Sequence, residues 1–236
     1  MKINIVTLFP NMVKSFISES IISRALNKEI IEINIYNYRD YTEDKHKKVD
    51  DTPYGGGAGM LMKVEPVEKT LKFIEKIEDL SKRKSHIVYM SPKGSVYNQE
   101  KALELLNYKE ITILCGHYEG IDERIIENYV DEEISIGDYV LTGGEIPAMC
   151  LVDSITRLLN EAINKDSLVD ESFSNYLLEY PQYTKPADYK GLKVPDILLS
   201  GHHENIKNWR ITQSENITKV RRPDLYEKYV NSKFKV

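Results

Sequence analysis

The chain has 236 residues, 41% of them hydrophobic and 29% charged, which is room for one large domain or two modest ones of ordinary globular composition. No apolar run reaches the length of a membrane span, and a net charge of −5 gives no global sign of a nucleic-acid partner. The opening MKINIVTLFP is too short for a span and lacks a small-residue cleavage site. Cys115 and Cys150 both sit in apolar runs, so we expect buried free thiols and a cytoplasmic setting.

Along the first part of the chain, strand and helix signals alternate. INIVTLF reads as a strand, and NMVKSFISESIISRAL follows as a helix with Val13, Phe16, Ile17, Ile21 and Leu26 near helical spacing. IEINIYN is a second strand. EPVEKTLKFIEKIEDL is an amphipathic helix with Pro66 near its first turn, where proline is tolerated. HIVYM and ITILC are continuous apolar runs of the kind found in covered parallel sheets. In IGDYVLTGGE, Ile136, Tyr139, Val140 and Leu141 read as the end of a strand, followed by a helix through IPAMCLVDSITRLL that is apolar on several faces. This alternation predicts an α/β fold with a mostly parallel sheet and helices on both faces, over residues 1–160. Residues 161–175 are polar and poorly periodic, a linker. Residues 176–236 are turn-rich, then helical from near His203, a small mainly helical domain.

Charge is distributed unevenly. Residues 175–236 hold 11 Lys/Arg against 7 Asp/Glu, and the remainder 21 against 30. KHKK (45–48), KRK (82–84) and KVRRPD (219–224) are local positive spots, each equally readable as solvated surface or as a phosphate site.

Side-chain bulk disappears at three predicted strand ends: YMSPKG (89–94), CGHYEG (115–120) and IGDYVLTGG (136–144). Open α/β sheets bind ligands beyond the carboxyl ends of their strands, and glycine there lets a flat ligand lie on peptide groups. The alternative for any one corner is a tight turn. No Rossmann fingerprint and no phosphate loop occurs, and YGGGAGM (54–60) follows no clear strand.

The motifs DKHKKVDDTPYGGGAGM, YMSPKG, CGHYEGIDER, SIGDYVLTGGEIPA, DSITR, DESFSNYLLEYPQYTKP, LLSGHHENIKNWR and RRPDLYEKY resemble, in the same order and over nearly the whole chain, the TrmD family of bacterial tRNA (guanine-N1-)-methyltransferases. The resemblance implies a SPOUT fold with a deep trefoil knot, although true knots are rare. It implies S-adenosylmethionine at the glycine corners, held by Tyr89, Ser91 and Pro92, by Gly116, Tyr118, Glu119 and Gly120, and by Ile136, Gly137, Asp138, Tyr139, Val140, Leu141, Gly143 and Gly144. It also implies methylation of the guanosine at tRNA position 37, preceded by a guanosine at position 36, in a homodimer whose sites take their base from the other subunit.

Guanine N1 carries a proton, and a carboxylate within hydrogen-bond reach is needed to remove it. A guanidinium then stabilises the charge developing on O6. By resemblance the guanidinium is Arg157 of DSITR. The family shows Asp-Ser-Phe in the linker; here VDESFS aligns Glu171 with that aspartate, and a shift of one residue makes Asp170 the base. Asp50 and Gly59 would read the preceding guanosine, and Lys185, His202, His203, Lys207, Trp209 and Arg210 would contact tRNA. Adjacent His202 and His203 point apart, so no protein-built metal site is expected. The resemblance allows magnesium to assist, with no ligand set legible. A pure RNA-binding module or another nucleotide-binding α/β enzyme are the competing classes. The RNA-binding module would not need Arg157, a linker carboxylate and three glycine corners together, and competition between S-adenosylhomocysteine and ATP separates the other enzyme.

Overall fold

The computed structural model describes residues 1–164 and 171–233, which form two compact units, Met1–Ile163 and Asn164–Val236. In chain order the first unit contains β1 (Lys2–Thr7), α1 (Pro10–Ile17), α2 (Ser20–Asn27), β2 (Glu32–Asn37), β3 (Asp50–Asp51), β4 (Leu61–Met62) and α3 (Val64–Glu75). It continues through β5 (His86–Val96), α4 (Gln99–Leu105), β6 (Glu110–Cys115), α5 (Glu123–Tyr129), β7 (Glu132–Ser135) and α6 (Glu145–Leu158).

Five strands form one sheet in the order β2-β1-β6-β5-β7, and every pairing is parallel. Successive strand residues face opposite sides, and both sides are covered. Ile3, Ile5, Val88, Met90, Ile111, Ile113 and Cys115 pack against residues of α1, α2, α4 and α6. Val6, Ile87, Tyr89 and Leu114 pack on the other side with residues of α3 and α5. The apolar runs HIVYM and ITILC are continuous because each strand feeds two cores.

The structure corrects four local expectations. The first helical pattern is two helices, because Ser20 turns the chain with φ 57° and the Ser18 hydroxyl donates to the Ser15 carbonyl at 2.8 Å, competing with the helical ladder. The third helix stops at Glu75, where Lys76 takes a left-handed φ of 56°. Ile136, Tyr139, Val140 and Leu141 are not strand: β7 is the preceding EEIS, and Gly137 at φ 147° ends the pleat. Cys150 is exposed, unlike buried Cys115, because it lies on the solvent side of α6 with Ile146 and Asp153. Helix α4 carries no clear periodic signal in the sequence.

In the second unit, residues 171–179 fold back on themselves. Phe173 N–H donates to the Leu177 carbonyl at 2.8 Å, and Leu178 N–H to the Thr218 hydroxyl at 2.8 Å. A small antiparallel hairpin, β8 (Asp188–Tyr189) and β9 (Leu192–Lys193), follows, then α7 (Asp196–Leu199), α8 (His203–Arg221) and α9 (Pro223–Lys233). Helices α8 and α9 are joined where Tyr229 donates to Glu215 at 2.6 Å.

Candidate functional site

Beyond the carboxyl ends of β5, β6 and β7, the three corners meet around a cavity of about 270 Å³. Pairing between β5 and β7 stops at Met90 and resumes at Ser95, which lifts Ser91 and Pro92 out of the sheet into the cavity wall. At the second corner Tyr118 has φ 59° and Gly120 φ 123°, so the chain doubles back immediately after β6. The third corner is held by Gly137 N–H on the Ser135 hydroxyl at 3.2 Å and by Tyr139 N–H on the Gly137 carbonyl at 2.9 Å.

Glycine at these corners answers first to chain-on-chain contact. A Cβ on Gly144 would stand 2.7 Å from Cys115 Cα and 3.0 Å from Gly116 N, and one on Gly116 would stand 2.6 Å from the Tyr89 hydroxyl. At Gly94 a Cβ would overlap the Glu133 carbonyl. The peptide groups thereby come close enough for Gly144 N–H to donate to the Gly116 carbonyl at 2.9 Å, with a bridge between His117 and Gly143.

The cavity brings together Tyr89, Ser91, Pro92, Gly116, Tyr118, Glu119, Gly120, Ile136, Gly137, Tyr139, Val140, Leu141, Gly143 and Gly144; Asp138 does not line it. Asp138 sits between the lining residues Gly137 and Tyr139. Met90, His117, Ile134, Ser135, Thr142 and Pro147 also line the cavity and were not singled out. All lie inside or beside the quoted motifs, the only signal sequence offers for them. The His117 Nδ1 atom is buried without a hydrogen-bond partner.

The glycine loop is fastened to this site. Glu119 N–H donates to the Met60 carbonyl at 3.0 Å, Met62 N–H to the Gly120 carbonyl at 2.9 Å and Asp122 N–H to the Met62 carbonyl at 3.1 Å. Asp50 pairs with Met62 across β3 and β4, and Gly59 lies against the Glu119 side chain. Asp50 and Gly59 are thus carried on main-chain hydrogen bonds to the second corner.

The Glu119 carboxylate is in the cavity wall, and beneath it lie buried neutral groups and the buried carboxylate of Glu145. Burial pushes the Tyr89 phenol up to about 12, against a backbone hydrogen bond with Ile121 that pulls it down. Burial likewise holds the Cys115 thiol well above its ordinary range, so it is an inert, protonated group. Glu145, 3% exposed at the start of α6, accepts from the Thr7 hydroxyl at 2.7 Å. Its place in the first helical turn suits a negative charge.

Arg157 lies in the last turn of α6, half-buried, on the solvent-side stripe of Ile146, Cys150 and Asp153. Glu171 belongs to the second unit, where it lines a cleft with Lys207 and Arg210. Asp170 lies outside the described residues. Lys185 and His202 are exposed, His203 opens α8 and Trp209 is half-buried on it. Among the described residues no three His, Cys, Asp or Glu side chains gather as a metal site, and no helix is long and apolar enough to cross a membrane.

A doubly covered parallel sheet with a cavity beyond three strand ends defines an α/β ligand-binding protein of the kind that cradles a nucleotide-like group on main chain. The family model described as tRNA (Guanine-1)-methyltransferase TrmD matches residues 1–228. A tRNA (guanine-N(1)-)-methyltransferase of Ruminiclostridium cellulolyticum is 54% identical over 232 residues, covering 98% of each chain. Those of Clostridioides difficile and Borreliella burgdorferi are 53% and 52% identical, covering 97% and 98% of this chain and 98% and 95% of theirs. The chain belongs to the TrmD family of tRNA (guanine-1)-methyltransferases.

Proposed function

We propose that this protein transfers the methyl group of S-adenosylmethionine to N1 of guanosine 37 of tRNA, preceded by guanosine 36, in the cytoplasm. The observation that carries the reading is the cavity where three glycine corners converge, in a chain of this family. Its lining fits the cofactor. Ile136, Leu141 and Pro147 offer apolar contact to a flat base, and the corners supply peptide donors and acceptors. The Glu119 carboxylate in the wall complements a sulfonium or ammonium charge. The trefoil knot that the family implies belongs to the same reading, in which the Gly144 N–H to Gly116 carbonyl bond ties the third corner to the second.

When bound, S-adenosylmethionine supplies an already activated methyl group. The protein's own work is to free N1. Glu171, or Asp170 if the alignment shifts by one, accepts the N1 proton, worth roughly 10²–10⁴-fold in rate. The guanidinium of Arg157 stabilises the charge that moves to O6. Asp50 and Gly59 contact the preceding guanosine. Residues 1–160 hold the cofactor, the linker 161–175 delivers the base, and residues 176–236 grip tRNA through Lys185, His202, His203, Lys207, Trp209 and Arg210. Magnesium is assigned no ligand and no step.

The working unit is a homodimer. Arg157 stands ten residues beyond Pro147, the cavity-lining residue furthest along α6, about 15 Å at 1.5 Å per residue and more than an arginine side chain spans. Arg157 therefore serves the cavity of a second copy. The exposed apolar residues Phe9, Met12 and Ile146, on the α1 and α6 side of the first unit, supply a surface for that partner.

Incubating the protein with labelled S-adenosylmethionine and an unmodified tRNA bearing two adjacent guanosines should give 1-methylguanosine at the second. Nucleoside mass mapping that finds no label, or label elsewhere, rejects the reading.

A further inference from the structure

The second corner of the cavity carries a buried polar atom to which the methylation chemistry gives no task. His117 Nδ1 is buried and has no hydrogen-bond partner among the described residues. Its ring is held from two sides, by Phe9 with ring centres 5.0 Å apart and by Tyr118 edge-on at 5.1 Å. A buried ring nitrogen left unpaired is costly, so a partner is to be sought within reach. Glu145 supplies one. A Cβ on Gly143 would lie 2.5 Å from Glu145 Oε2 and 2.8 Å from His117 Nδ1, so both atoms border the same point beside one glycine. The missing side chain of Gly143 leaves the space between them open.

The carboxylate is already fixed by its other oxygen. Glu145 is 3% exposed, and its Oε1 accepts from the Thr7 hydroxyl at 2.7 Å. That hydroxyl oxygen in turn accepts from Phe9 N–H at 2.8 Å. Phe9 thus touches both ends of the arrangement, through its main chain at Thr7 and through its ring at His117. An ionised carboxylate only accepts, so it selects the imidazole tautomer with the proton on Nδ1. We propose that His117 Nδ1–H donates to Glu145 Oε2 when the cavity closes on S-adenosylmethionine, with Glu145 as a positioning residue acting through His117. The bond ties the second corner to the start of α6 and, through Thr7, to β1. The main chain already bridges His117 to Gly143, so the second and third corners close together. The proposal rests on the methylation reading and adds to it the side-chain pair that sets how tightly the corners hold the cofactor.

The test uses the full-length protein and reads S-adenosylhomocysteine affinity by calorimetry, beside KM and kcat for methylation. Asparagine places its amide nitrogen where Nδ1 stands, glutamine places it nearer Nε2, and phenylalanine keeps the ring without either nitrogen. His117→Phe and His117→Gln should each weaken affinity and raise KM for S-adenosylmethionine by about tenfold, with kcat within about threefold of wild type. His117→Asn should recover most of that loss. Nitrogen-15 spectra of the histidine ring should show Nδ1 protonated in wild type saturated with S-adenosylhomocysteine. In Glu145→Gln the proton should move to Nε2, because the amide keeps its oxygen on Thr7 and turns a donor toward the ring. His117→Asn as weak as His117→Phe, or a bare Nδ1 in the saturated wild type, overturns the proposal. The expected ranking of affinities in a protein that forms no 1-methylguanosine would instead overturn the methylation reading and leave the pair standing.

Discussion

The main-chain N–H of Gly144 donates to the carbonyl of Gly116 at 2.9 Å, tying the third corner of the cavity to the second. This bond exists because neither residue has a Cβ: one on Gly144 would reach 2.7 Å from Cys115 Cα, which is backbone and unable to swing away. At Gly143 the atoms met would be Glu145 and His117 side chains, which can move.

Gly144→Ala should therefore be more harmful than Gly143→Ala. We expect roughly 1–3 kcal/mol of lost stability for Gly144→Ala, together with a loss of S-adenosylhomocysteine affinity of at least about tenfold. Calorimetric titration and thermal unfolding of the two variants decide the ranking, and a milder Gly144→Ala contradicts it.

The length of α6 makes a prediction about assembly. If Arg157 and the linker carboxylate both serve the partner's cavity, co-expressed Arg157→Ala and Glu171→Gln chains leave each site of the heterodimer with one defect. Activity should stay low. Pairing Gly144→Ala with Arg157→Ala places both defects in one site and restores the other, so about half the wild-type rate should return. Recovery in the first pair and none in the second would show that Arg157 works within its own chain.

The identity of the base separates on three variants. Glu171→Gln should lower single-turnover methylation by roughly two orders of magnitude with tRNA and cofactor binding nearly intact. Glu171→Asp should remain active, and Asp170→Asn should change little. A dead Asp170→Asn beside a healthy Glu171→Gln assigns the role to Asp170.

The Thr7 hydroxyl donates to the buried carboxylate of Glu145 at 2.7 Å. Thr7→Val keeps the shape and removes the donor, and should cost about 1–3 kcal/mol of stability in denaturant titration. Glu145→Gln in the Thr7→Val background should recover part of that loss, because an unpaired amide is cheaper to bury than an unpaired charge.

Tyr89 predicts how stability changes in alkali. Its phenol ionises near the ordinary 10 when unfolded and near 12 when folded. Between those values the unfolded chain binds fewer protons, so stability falls as pH rises through that window, by up to roughly 2–3 kcal/mol in all. Below pH 10 both states are neutral and the residue contributes no pH dependence. Unfolding curves of Tyr89→Phe should show a shallower alkaline decline than wild type, and an identical slope would refute the assignment.

Much of this was legible in the chain itself. The runs HIVYM and ITILC announced doubly covered strands, because a strand buried on both faces needs no polar alternation. Three losses of side-chain bulk at strand ends marked where a cavity forms, and the quoted motifs named most of its lining. IGDYVL reads as strand in the sequence because Ile, Tyr, Val and Leu carry strand propensity wherever they stand, yet β7 ends at Ser135. Only the conformation of Gly137 shows that the pleat has already ended.

Sequence alone determined the covered parallel sheet and the three corners, since periodicity and missing side chains are local properties of the chain. Tertiary structure decided why the corner glycines are required: they are pressed against Cys115, Tyr89 and Glu133, residues that no spacing rule connects to them. It also decided that Arg157 stands about 15 Å along α6 from Pro147, the nearest cavity-lining residue of that helix, and that Tyr180 meets Arg210 across 30 residues of chain. Such relations arise from close packing between distant segments, and the order of residues along the chain does not record them.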